Sequence, residues 1–407
     1  MDERELRDRL RTVSVPASRL EVETLVHGGR RRVVRRRAWR AAVGAALAVG
    51  VLMAMPSLLA RPERRAAVVD TAPSISAKPP VTATPSAAPA IVSPSQTPAA
   101  RACVMSALPV PAGLKDVQVA GVDPTGRYIV GNATRGNNWK PVLWTAGTAR
   151  ALPILGASMQ LSGVNAQGVV VGLAGIGPNE QTFRYQNGTY TRLKTPAGSW
   201  HAYPQPVINT AGDIVVNVEP AGNSGGKGSI VLFWAAGEIV ARKLPLPAGA
   251  NVMAILDDGT LVGALYKNGA AIAGYTWDQQ GHGQKLATPQ GQTGAAYAAR
   301  GDWATGGFWP AMSTARWNLR TGQFTELPTP AGADVSPVLT GLGAGEQVNA
   351  NGWVVAAGYA VHDGGGATLT VPKGQKASAV AVSDDNLVVG QALSSSGTGL
   401  GPRTWRC

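Results

Sequence analysis

Cysteine, histidine and charge are all scarce in this chain. Two cysteines and four histidines in 407 residues are too few and too scattered for a zinc or iron–sulfur framework. Charged residues make up 15% of the sequence, against about a quarter in an ordinary soluble domain, which argues against helix-rich and coiled-coil folds. No HExxH and no Gly-x-x-x-x-Gly-Lys-Ser/Thr run occurs, so zincin and phosphate-loop chemistry have no foothold. Glycine and proline are plentiful instead, 51 and 29, the composition of many short strands joined by tight turns.

The net charge of +13 suggests nucleic-acid binding only until it is located. Residues 1–65 hold 15 of the 37 basic and 7 of the 24 acidic residues, so +8 of the +13 lies there. Arg30, Arg31, Arg32, Arg35, Arg36, Arg37 and Arg40 then precede a run, 41–60, without one charge. At ~1.5 Å rise per residue, 20 residues cross a bilayer core. The arginines are therefore a topology signal, with no nucleic acid as partner, and the positive-inside rule puts residues 1–40 in the cytoplasm. A cleaved signal peptide would need a basic region of about 40 residues and would place Leu58 where a small residue belongs. The expected segment is thus a retained signal-anchor with the lipid bilayer as partner through 41–60. Its small-xxx-small pairs, Gly44 with Ala48 and Ala46 with Gly50, suit a weak homodimer contact. Residues 61–102 read as a linker. From Thr71 to Ala100 there are seven prolines and Lys78 is the only charge, a stretch that cannot bury enough apolar surface to order itself.

Residues 103–407 contain an internal repeat. GVDPTGRYIVG, GVNAQGVVVG, VINTAGDIVV, ILDDGTLVG, AARGDWATG, VNANGWVV and AVSDDNLVVG each pair a polar turn with an apolar strand. The turn positions are Gly126, Gly168, Gly212, Gly259, Gly301, Gly352 and Asn386. An aromatic strand and then a proline follow most of them, as in LWTAGTARALP and WNLRTGQFTELPTP. A period of about 43 residues suits four strands per unit, so the expected fold is all-β, a seven-bladed β-propeller. Asp123, Asn165, Asn209 and Asn349 sit three residues before a glycine, where an Asx side chain caps its own turn. The last unit stops after its aromatic strand. CVMSALPVP, from Cys103, resembles the strand it lacks. Cys103 and Cys407 flank that seam and are expected to form a disulfide outside the cytoplasm.

GVNAQGVVVG followed by FRYQNG resembles the HAF-type repeat of extracellular bacterial proteins. The resemblance covers about 305 residues and implies an extracytoplasmic propeller-like domain. The basic leader, single span and Pro/Ala stalk resemble an envelope protein of actinobacterial type.

Chemistry is harder to find. His201, His282 and His362 are the histidines after residue 65, and the last two fall in turns. Seven acidic residues (Asp123, Asp213, Asp257, Asp258, Asp302, Asp384, Asp385) are accounted for by turns, and of the others Asp116, Glu180, Glu219, Asp334 and Glu346, on other loops, are the leading candidates for a catalytic funnel. No cofactor, metal or catalytic set is expected. Exposed aromatics among polar groups suit a glycan or an extended peptide. The candidate binding residues are Arg135, Trp139 and Lys140, then Trp200, His201 and Tyr203, and Trp309. The expected function is a membrane-tethered extracytoplasmic module that binds or scaffolds a protein or glycan. The alternatives are a propeller hydrolase or lyase on envelope polysaccharide, favoured by carboxylates converging on the channel, and a transmembrane regulator of anti-sigma type.

Overall fold

The computed structural model describes residues 101–135, 138–176, 179–203, 205–221, 228–330, 344–363 and 365–407. The leader, the expected span, the linker up to residue 100, and Asp334 lie outside the described residues. Among the described residues all regular structure is β, and no helix is long and apolar enough to cross a membrane.

Strand β1 (Arg101–Ala107) opens the fold, two residues inside the expected linker. Four-stranded antiparallel meanders follow. The first is β2 (Gln118–Val122), β3 (Tyr128–Arg135), β4 (Asn138–Thr145) and β5 (Thr148–Ala151). The second is β6 (Ser158–Val164), β7 (Val170–Ile176), β8 (Asn179–Gln186) and β9 (Thr189–Arg192). The third splits its first strand into β10 (Trp200–Ala202) and β11 (Val207–Ile208), then runs β12 (Ile214–Pro220), β13 (Ile230–Trp234) and β14 (Arg242–Lys243). The fourth is β15 (Ala250–Ile255), β16 (Leu261–Lys267), β17 (Ala270–Trp277) and β18 (Gly283–Lys285). The fifth is β19 (Thr293–Arg300), β20 (Trp303–Trp309), β21 (Ser313–Asn318) and β22 (Phe324–Leu327).

The remaining strands form one eight-stranded sheet. Its halves are β23 (Gln347–Val348), β24 (Val354–Ala356), β25 (Tyr359–His362) and β26 (Gly365–Leu369), and β27 (Gln375–Val382), β28 (Leu387–Ser394) and β29 (Gly399–Arg406). Strand β1 sits between them. It pairs antiparallel with β29 from Val104↔Arg406 to Ala107↔Arg403, supplying the strand that the C-terminal unit lacks. It also pairs parallel with β26 from Arg101↔Ala367 to Cys103↔Leu369, which zips two outer edges together. Cys103 and Cys407 are disulfide-bonded across the seam.

The first strands β2, β6, β11, β15, β19, β23 and β27 touch in succession, and β27 touches β2. The sheets therefore form a closed circuit of the propeller type, and the core is divided into packets between consecutive sheets. Val119, Ile129 and Trp144, for example, pack on Ala381, Leu387 and Val389 of the C-terminal half-sheet.

Two sequence landmarks turn out to be the ends of one bond. Trp144, Trp234, Trp317 and Trp405 are fully buried in third strands. Their indole Nε1 groups donate to carbonyls beside the proline landmarks: Pro109 (2.7 Å), Lys194 (3.2 Å), Ala287 (2.6 Å) and Thr370 (2.8 Å). Each ring fills the gap between sheets, and its one polar atom is satisfied by the preceding connection.

Candidate functional site

The first strands carry a repeated irregularity. The ladder skips Ala120 in β2, Ser162 in β6, Met253 in β15, Tyr297 in β19 and Val380 in β27. Each of these β-bulges lies three residues before the residue that opens the next turn: Asp123, Asn165, Leu256, Arg300 and Ser383. In the two remaining first strands the same place holds Pro206, before β11, and Glu346, before β23. A bulge pushes one residue out of the ladder and bends the strand. It also explains the glycine after the apolar run in the second strands. A Cβ on Gly172 would lie 2.0 Å from the Gln160 carbonyl oxygen, and one on Gly263 would lie 1.9 Å from that of Asn251.

These strands enclose a channel. The connections between sheets and between second and third strands share one end, here the loop end. The first-to-second-strand turns share the other, the turn end. Near the turn end lies a cavity of about 160 Å³, walled mostly by small and apolar side chains such as Ala120, Val122, Val207, Met253, Ala299 and Val380. Arg300 lines it too. Its Nη1 donates to Asp257 Oδ2 (3.2 Å) and to Thr210 Oγ1 (3.1 Å), and its Nε donates to Asp384 Oδ2 (3.3 Å). One guanidinium thus ties together turns of three other sheets at the turn end. Asp257 and Asp384 do more than make turns, which the repeat pattern alone had not indicated.

The turn end is also laced by asparagine. Asn209 Oδ1 accepts from the backbone N–H groups of Gly212 and Asp213 (2.9 and 2.8 Å), while its Nδ2 donates to the Leu256 carbonyl of the next sheet (3.0 Å). Asn165 and Asn349 reach Asn209 and Ser383 in the same way (3.1 and 2.9 Å). Deeper in the ring, Asn132 and Asn217 each exchange two hydrogen bonds with a first strand of the following sheet, at Leu161 and Val252.

The aromatic candidates all lie on segments at the loop end, but in separate places. Trp200 packs its ring on the core between the second and third sheets and donates Nε1 to the Pro196 carbonyl (3.2 Å). His201, on the other face of β10, meets Glu180 at 2.9 Å and lies edge-on to Tyr203 at 6.4 Å between ring centroids. Glu219, buried and in register opposite His201, completes that group. The hydrogen bond to Glu180 raises His201 above the usual histidine range. Burial, with Glu219 beside it, pushes the Tyr203 hydroxyl up. Trp309, at the end of β20, stands edge-to-face against Tyr297 at 6.0 Å. Trp139 accepts a different neighbour: its backbone N–H donates to Ser158 Oγ (2.9 Å). Half-buried Lys140 follows it in β4, and Arg135 closes β3.

Among the described residues, the carboxylates set aside for a funnel do not gather in one place. Glu180 and Glu219 meet at His201, Asp116 is exposed on the connection before β2, and Glu346 belongs to a sheet that does not neighbour theirs. Among the described residues no three His, Cys, Asp or Glu side chains are grouped to hold a metal ion. His282 is exposed beside Asp278 (2.7 Å), as a turn residue. Gly222-Asn223-Ser224-Gly225-Gly226 matches the Gly-x-Ser-x-Gly pattern. It lies outside the described residues.

No family model matches the chain, and no curated protein matches it. Solved structures do. Oligogalacturonate lyase from Vibrio parahaemolyticus is 10% identical over 75% of this chain and 97% of its own, with a TM-score of 0.49. The β-propeller domain of the trilobed protease from Pyrococcus furiosus is 8% identical over 72% and 94%, with a TM-score of 0.48. TolB from Acinetobacter baumannii is 16% identical with a TM-score of 0.32, and the match spans 42% of each chain. Likeness at this level says nothing about what this chain binds.

Proposed function

We propose that this chain is a single-pass membrane protein carrying an extracytoplasmic seven-bladed propeller of the HAF-repeat type, and that the propeller is a binding or scaffolding module of the cell envelope. Residues 41–60 anchor it, 61–100 form the stalk, and the ring takes its ligand at the loop end. The observation that carries this reading is the asymmetry of the channel. The turn end is tied together by Arg300 and the asparagine lacing, while the loop end bears His201, Tyr203, Trp309 and their polar neighbours. The disulfide fits an oxidising compartment. Binding suits this ring better than glycoside hydrolysis, because a glycosidase needs two opposed carboxyl groups and, among the described residues, the bulge ring holds one.

The test uses the full-length protein in nanodiscs, incubated with cell-wall glycan and with secreted protein fractions. Retention of one fraction is expected, reduced in a Tyr203→Ala/Trp309→Ala variant and unchanged in Arg320→Ala at the turn end. Equal retention by the wild type and both variants, or none by the wild type, defeats the proposal.

A further inference from the structure

Strand β10 carries different chemistry on its two faces. Alternation turns Trp200 and Ala202 onto the core between the second and third sheets, so His201 and Tyr203 share the opposite face. Glu219 stands in register opposite His201, and the Tyr203 N–H donates to the Asn217 carbonyl (2.9 Å) two residues along β12. Glu180 reaches the group from β8, with its Oε2 2.9 Å from His201 Nδ1. The His201 and Glu180 side chains are nearly half exposed, at 47% and 44%, whereas Glu219 is buried. The half-buried Tyr203 ring stands at 61° to the imidazole, with 6.4 Å between centroids, so the two planes bound a corner at the loop end.

Nδ1 engages one Glu180 oxygen. Among the described residues nothing bonds to Oε1 of Glu180 or to Nε2 of His201. One acceptor and one ring nitrogen are therefore left for a ligand, beside an aromatic face. A hydroxyl both donates and accepts, so adjacent hydroxyls on a sugar ring satisfy both positions. An ammonium or guanidinium only donates, and would leave the Nε2–H of a charged imidazole without an acceptor. The hydrogen bond to Glu180 favours that charged form. A uronate or phosphate would face two carboxyl groups, Glu180 and Glu219, against one imidazole. A peptide adding as a strand would find an edge of three residues, Trp200–Ala202, running on to Pro204, which has no N–H to offer.

We propose that Glu180, His201 and Tyr203 form a subsite for an uncharged pyranose residue of a glycan, with its vicinal hydroxyls on Glu180 and His201 and its apolar face on the Tyr203 ring. This deepens, and rests on, the reading of the loop end as the ligand-binding end of the ring.

The experiment is titration calorimetry on the full-length protein in nanodiscs. The neutral probes are maltotriose, mannotriose and N-acetylated chitotriose; trigalacturonate is the acidic probe and triarginine the basic one. At least one neutral trisaccharide is expected to bind, and both charged probes to fail. Glu180→Gln, at an exposed position, should weaken that binding by about tenfold, the loss of one charge-assisted contact. Tyr203→Leu should weaken it too, while Arg320→Ala at the turn end binds as the wild type does. Melting curves establish that each variant is folded. Binding left unchanged by Glu180→Gln or by Tyr203→Leu overturns the site. Trigalacturonate or triarginine binding as tightly as the neutral sugars, or in their place, overturns the assignment to an uncharged sugar. If no trisaccharide binds, the inference falls; the binding module stands where wall or secreted fractions are still retained, and falls with it where they are not.

Discussion

Replacing both cysteines with serine tests how the ring is kept shut. The bond joins residues separated by 304 positions, so cutting it frees nearly the whole described chain in the unfolded state. Loop-closure entropy for a loop of that length gives about 5 to 6 kcal/mol at 25 °C, with native-state strain and residual unfolded structure reducing what is realised. An unfolding entropy of about 2.1 cal/mol/K per residue, over some 300 residues, comes to roughly 0.6 kcal/mol per kelvin, so Tm should fall by about 9 °C at most. What remains at the seam is the four-residue ladder to β29 and the three-residue ladder to β26. Calorimetry of the full chain with and without reductant measures the shift, and the Cys103→Ser/Cys407→Ser protein should match the reduced wild type. Hydrogen exchange should show amides of β1, β26 and β29 losing protection together. If reduced and oxidised protein melt within a degree of each other, the ladders alone hold the circuit closed and the argument from loop entropy fails.

Gly172→Ala should destabilise by about 1–3 kcal/mol, because its Cβ would lie 2.0 Å from a carbonyl oxygen; the same change at Gly188, where a Cβ meets nothing, carries only its left-handed backbone cost, and urea denaturation compares the two. Asn209→Asp keeps the turn acceptor but deletes the donor to Leu256 and buries a charge, for a loss of about 3 kcal/mol or more readable from the same curves. The His201–Glu180 pair should be pH-sensitive. His201 is raised by Glu180, so its stabilising contribution is complete below the ordinary histidine value of 6.5 and fades as pH rises through the raised one. The melting difference between wild type and Glu180→Gln should therefore be larger at pH 6 than at pH 9. Glu346 works in the same direction at lower pH: burial raises its carboxyl from 4.5 to about 7, so the wild type should lose stability as pH rises from 4.5 to 7, by about 3 kcal/mol at 1.36 kcal/mol per tenfold, and Glu346→Gln should flatten that slope.

The repeat made the architecture legible because its landmarks are backbone requirements. Gly126, Gly168, Gly212, Gly259, Gly301, Gly352 and Asn386 all have positive φ, a condition that few residue types meet, so they stay visible when the strands between them diverge. The tryptophans and prolines were visible too, but as a list; that Trp144 bonds the Pro109 carbonyl is a fact about two sheets meeting. The channel was not legible, for a related reason. A bulge is a mismatch in pairing between two strands, and Ala120, Ser162, Pro206, Met253, Tyr297, Glu346 and Val380 share no side-chain chemistry that would align them. What aligns them is their distance from the turn. Counting three residues back from each turn-opening residue collects the whole ring and shows that only Tyr297 and Glu346 break its apolar or small-residue pattern. Arg300 surfaces by the same count, since it occupies the turn-opening place that other units give to Asp, Asn, Leu or Ser. Residues that depart from a repeat at an inward position are therefore found only once the geometry supplies the count. Trp200, packed on the core between two sheets, shows how an aromatic at the right end of the ring can belong to the scaffold.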